Sequence, residues 1–167
     1  MSQVVETANI ALVPLDLLNL RRLAASETAD LQAAAGALPP AHVATRALSQ
    51  LDSGVPANWC VPLLIVAVGS GEILGGCTFK GEPVDGRVEI GYGVADSARR
   101  RGVATAAVSQ LLGLAASSGL VRHVDAHILP DNIASSKVVS RLGFSRGDTV
   151  VDPDGELVVR WSYPVAT

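Results

Sequence analysis

The chain has 167 residues, 49% hydrophobic and 17% charged, enough apolar material for a single core that needs neither a metal nor a disulfide framework. Its 13 basic and 16 acidic side chains leave a formal charge of −3, which argues against a general nucleic-acid binder, a function that needs a strong positive field. The most apolar run, Val61 to Val68, contains Pro62 and falls far short of a bilayer span; Met1 to Glu6 also lacks a basic segment leading into an apolar core, so a cytoplasmic protein without a membrane partner is expected.

Ile10 to Val13 reads as a first strand ended by Pro14, and Leu15 to Leu23 carries leucines at helical spacing. A second helix is expected over Ser26 to Ala35, closed by Gly36 and barred from continuing by Pro39 and Pro40. His42 to Leu51 forms a third helical pattern. Three strand patterns follow, Leu63 to Val68, Ile73 to Phe79 and Val88 to Val94, with glycine-bearing turns between them, as in an antiparallel meander. Along the last of these, Ile90, Tyr92 and Val94 share one face and Glu89, Gly91 and Gly93 the other. A carboxylate thus stands on a face otherwise lined by glycines, where a ligand or another backbone can approach closely.

A helix beginning at Val103 presents Ala104, Ala107, Val108, Leu111, Leu112 and Ala115 at offsets of three and four, with Gly119 as its terminator. Val121 to Ile128 then alternates as a strand, and strand, helix and strand in that order demand a crossover between parallel neighbours. A helix over Ile133 to Leu142, stopped by Gly143, leads to a closing hairpin of Phe144 to Val151 and Leu157 to Tyr163. No repeat or low-complexity linker divides the chain, and one domain over residues 6–163 is expected.

Several residue types invite a site and are read as structure. Cys60 and Cys77 have no partner at metal-ligand spacing and are taken as buried thiols. His123, Asp125 and His127 share a strand face, but side chains two apart stand about 7 Å from one another, so no metal is expected. His127 remains a candidate for touching an acceptor, and Trp59 and Trp161 are assigned to packing.

The chemistry concentrates at Arg99-Arg100-Arg101-Gly102-Val103-Ala104, where a strand gives way to a helix. Unpaired N–H groups of the first helical turn, a glycine that lets phosphate reach the backbone, and three local cations suit a phosphorylated ligand. Glu89-Ile90-Gly91-Tyr92-Gly93-Val94 stands before this segment, and Asn132-Ile133-Ala134-Ser135 through Arg141-Leu142-Gly143-Phe144 follows it. In these motifs and their order the chain resembles the GNAT superfamily of acyl-coenzyme A-dependent N-acetyltransferases, closest to the ribosomal-protein N-terminal acetyltransferase branch, which Glu6-Thr7 also fits.

The resemblance implies a mixed α/β fold: a central, mostly antiparallel sheet with a splayed parallel pair and flanking helices. It implies acetyl-CoA as acyl donor, held by the main chain of Val94, by Arg99, Arg100, Arg101, Gly102, Val103, Ala104 and Thr105, and by Asn132 and Lys137. An amine attacks the thioester directly, so no nucleophilic side chain is required. Glu89 is the candidate proton acceptor and Ser135 the candidate partner of the leaving sulfur. Some relatives carry a tyrosine seven positions after the asparagine, where this chain has Val139, so a general acid does not transfer from the family. The expected acceptor is a protein N-terminal α-amine, with a small-molecule amine as the alternative and a monomer or homodimer as the assembly. A non-catalytic acyl-CoA sensor is the competing class.

Overall fold

A computed structural model describes residues 9–166, so Glu6-Thr7 and the start of the expected domain lie outside the described residues. Seven strands form one sheet: β1 (Ile10–Pro14), β2 (Leu63–Ala67), β3 (Ile73–Phe79), β4 (Arg87–Val94), β5 (His123–Ile128), β6 (Ser145–Val151) and β7 (Leu157–Pro164). Their order is β1-β2-β3-β4-β5-β7-β6, and β4 with β5 is the one parallel pair among antiparallel neighbours. The helices are α1 (Leu17–Ala24), α2 (Ala41–Asp52), α3 (Val103–Ser118) and α4 (Ile133–Leu142).

Two apolar clusters place helices on both faces of the sheet. Val108 and Leu111 of α3 and Val139 of α4 pack with Ile65, Ile90 and Val124, whereas Leu20 of α1 and Ala44 and Ala47 of α2 pack with Leu64 and Ile73. Fully burying a side chain such as Leu111 contributes about 1.5–3 kcal/mol, so the α3 stripe anchors the crossover that brings β4 beside β5. Val103, Ala107, Val108, Leu111 and Ala115 are the buried positions of α3, and the expected stripe differs only at its edges, where Ala104 and Leu112 are half-buried.

The expected helix over Ser26 to Ala35 is absent. The chain leaves α1 through a left-handed Ser26 at φ 58°, Asp30 N–H donates to the buried Asn19 Oδ1, and Ala34 N–H donates to Ile73 O at 2.9 Å. Ala33 also bridges Ile73. These long-range hydrogen bonds compete for the amides a helix would need, and they outweigh the local propensity of an alanine-rich stretch.

The parallel pair opens along its length. Register runs from Arg87 opposite His123 to Ile90 opposite Ala126 and stops there. Beyond it β4 stays paired with β3 as far as Val94, while His127 and Ile128 of β5 pair with β7. Gly91 to Val94 therefore have no strand partner on their β5 side. Close approach of β3 fixes the other side, because a Cβ at Gly75 would run into the Gly93 carbonyl.

Candidate active site

A cleft of about 1040 Å³ runs through this opening. It is lined by Gly91 to Val94 of β4, by Arg99, Arg100 and Gly102 to Thr105 at the start of α3, and by Asn132 to Ser135, Lys137, Val138 and Arg141 of α4. On the far side Gly36 to Pro40 and His42, Val43 and Arg46 close it, with Lys80 at the end of β3. Among the described residues its charged and imidazole side chains are His42, Arg46, Lys80, Arg99, Arg100, Lys137 and Arg141, with no Asp or Glu in the lining.

The start of α3 is built to expose donors. Gly102 sits at its N-terminal boundary with φ 74° and provides no side-chain cap, and the first amide bonded back to it is that of Ala106. The N–H groups of Val103, Ala104 and Thr105 are thus left for a ligand, at the positive end of a sixteen-residue helix. Arg100 is left-handed as well, at φ 63°, and alternation of hand along such a turn curls successive amides toward one concavity. No described atom lies within 4 Å of a Cβ built on Gly102 or Gly93, so both positions face open space.

The three consecutive arginines diverge. Arg99 and Arg100 line the cleft, Arg99 pairs at 3.3 Å with Asp96 in an exposed contact, and Arg101 is exposed outside the lining. Asn132 also lines the cleft, and its Oδ1 accepts the Ser135 N–H at 3.1 Å, which caps α4. Ser136 Oγ donates to Asn132 O at 2.9 Å, a local backbone bond, while Ser135 and Lys137 face the cleft.

Glu89 lies just outside the lining. It shares its face of β4 with Gly91 and Gly93, and its two carboxylate oxygens meet Lys80 Nζ at 2.9 Å and His127 Nδ1 at 3.0 Å. Arg87 does not reach it; that guanidinium takes buried Asp125, at 2.8 and 3.1 Å, and Ser162 Oγ donates to the same carboxylate at 2.6 Å. Asp125 and His127, on one face of β5, thus belong to two separate networks.

Sequence reasoning missed Tyr92 as part of the cleft. Its hydroxyl donates to Ser135 O at 2.9 Å, tying β4 to α4 across the opening. Burial pushes its phenol up to about 12, so it keeps its proton through neutral pH. The signal was available in the strand alternation, which sets Tyr92 on the face that α4 covers. Cys77, also in the lining, is a free thiol pushed up to about 12 by burial, and Cys60 is free and buried. Trp59 packs edge-on against Phe79 with centroids 4.9 Å apart, and Trp161 is buried beneath Arg146.

Comparison with known proteins agrees with this geometry. A family model described as an acetyltransferase (GNAT) domain matches residues 12–145. The uncharacterized N-acetyltransferase YjdG of Bacillus subtilis (strain 168) is 37% identical over 82 residues, a stretch that spans 48% of this chain and about half, 49%, of that relative. Among solved structures, aminoglycoside acetyltransferase AAC(6')-Ib in complex with coenzyme A superposes with a TM-score of 0.67 at 19% identity, over 93% of this chain and 94% of that one. RimL, a ribosomal L7/L12 alpha-N-protein acetyltransferase, superposes with a TM-score of 0.66 at 18% identity, over 94% of each chain. At these identities the two structures establish a shared fold.

Proposed function

The chain belongs to the GNAT acetyltransferase family, and from that premise we propose that it transfers an acetyl group from acetyl-CoA to the α-amine of a protein N-terminus. The observation that carries this reading is the junction of an uncapped α3 start with an opened β4 edge inside one cleft. A pyrophosphate needs several donors within a small arc, and the amides of Val103 to Thr105 supply them beside Arg99 and Arg100. The unpaired edge at Gly91 to Val94 offers main-chain groups to an extended amide-bearing arm, as a neighbouring strand would. Lys137 contributes a cation to the phosphates, and Asn132, whose Oδ1 caps α4, lines the same cleft and offers its Nδ2 as a donor. Arg101 acts only through its backbone and its charge.

Transfer proceeds by direct attack. The neutral amine forms the new C–N bond at the thioester carbonyl as the C–S bond breaks, and coenzyme A leaves as a thiolate that takes a proton to become the thiol. A thiol pKa near 8.5 makes the thiolate an adequate leaving group, and Ser135, in the cleft lining, is the proposed donor toward the sulfur. Main-chain donors along β4 stabilise the charge that develops on the carbonyl oxygen. An α-amine has a reference pKa near 8, against about 10.4 for lysine, so it reaches the neutral form with less help. Glu89 receives the amine's proton. It lies two residues from Gly91 on the same face of β4, and the proton reaches it through water.

Incubation with labelled acetyl-CoA and a library of peptides and small amines, read by mass, tests the proposal. Peptides acetylated at their N-termini support it, and small amines as sole acceptors replace the acceptor class. Saturable acetyl-CoA binding without turnover on any acceptor indicates a sensor. Glu89→Gln is expected to lower kcat about 100-fold while leaving acetyl-CoA affinity unchanged, and full activity in that variant removes Glu89 from the mechanism.

A further inference from the structure

Phosphate binding accounts for the arginines before α3 and the cations of α4, but it leaves those of α2 unexplained. His42 and Arg46 enter the cleft from the opposite face of the sheet, on a helix seated against β3. Two contacts hold that seat: Pro39 rests on Gly76, with 3.5 Å to its ideal Cβ position, and Gln50 Nε2 donates to Lys80 O at 2.9 Å. Lys80 is neutralised locally by Glu89, whereas no carboxylate among the described residues pairs with Arg46 or His42.

The position of Glu89 fixes where an acceptor sits. To pass its proton there, the amine lies on the Gly91 and Gly93 face of β4, the face that α2 covers, and whatever the acceptor carries next to its amine lies beside Arg46 and His42. Among the described residues no Asp or Glu lines this cleft, so the field there is positive in a protein whose formal charge is −3.

We infer that the acceptor carries a carboxylate close to its reacting amine, as an acidic side chain within the first few residues of the acetylated peptide. Arg46 pairs with that carboxylate, and His42 offers it a ring N–H. Amines with several ammonium groups are repelled by the same field. The inference rests on the acetyl-transfer reading and gives its acceptor a chemistry.

The test uses wild-type protein, acetyl-CoA and peptides that differ only at residues two to four, acidic, neutral or basic, with free aspartate and glutamate as separate acceptors. The acidic peptides are expected to exceed the neutral ones in kcat/KM by about tenfold, with the basic peptides last and the spread shrinking as salt rises. Arg46→Gln is expected to flatten the order and Arg46→Glu to invert it, with circular dichroism confirming that both variants fold. Free amino acids turned over with the same dependence on Arg46 also support carboxylate recognition and assign it to a small acceptor. Equal turnover across the three peptide classes overturns the inference and leaves acetyl transfer standing. No turnover on any acceptor defeats both.

Discussion

Two helices begin in the same cleft and resolve their first turns differently. At the start of α4 the Asn132 side chain accepts the Ser135 N–H, and Ser136 closes a further bond to the Asn132 carbonyl, so part of that helix end is satisfied from within. At the start of α3 there is no side-chain cap, a left-handed glycine stands at the boundary, and Val103 to Thr105, whose amides have no intrahelical partner, line the cleft. A self-capped helix end is a structural element, and an uncapped one facing a cleft among cations is a binding element. On the proposed acetyl-transfer reading, the contrast gives the diphosphate to α3 and the supporting part to α4, with Tyr92 tying the two sides of the opening together.

Substitutions at the two helix starts should separate accordingly. The largest effect is expected for Gly102→Glu, which puts a negative charge into the space that the proposed function gives to the phosphates. Acetyl-CoA affinity should fall about 100-fold by calorimetry, and the thermal midpoint should drop as well, because a residue with a Cβ is disfavoured at φ 74°. Wild-type affinity in that variant would break the contrast. Asn132→Ala should act mainly on the fold: loss of the cap costs about 1 kcal/mol of stability in denaturant unfolding, with acetyl-CoA affinity changing by less than about tenfold. If it weakened acetyl-CoA as much as Gly102→Glu does, α4 would have to share the diphosphate.

The legible parts of this molecule are those whose signal is local. Glycines at the ends of α3 and α4, period-two alternation in β4 and the strand–helix–strand order carried enough to predict the parallel pair and the start of α3 at Val103. What sequence missed depends on contacts between distant residues. The stretch from Ser26 to Ala35 has helix-forming composition, yet Asn19 and Ile73 claim its amides. Lys80 opposite Glu89 follows from the β3–β4 register, which only the length of the Gly81 to Gly86 turn determines. That α2 brings Arg46 and His42 to the cleft depends on Pro39 settling on Gly76, a packing event without a local sequence signature.

The most direct test follows backbone amide resonances while acetyl-CoA is titrated into isotope-labelled protein. The account predicts that the amides of Gly102, Val103, Ala104 and Thr105 shift first and furthest, in step with saturation, and that coenzyme A reproduces the pattern because it carries the same diphosphate. Saturable binding that leaves these four amides unmoved would contradict it.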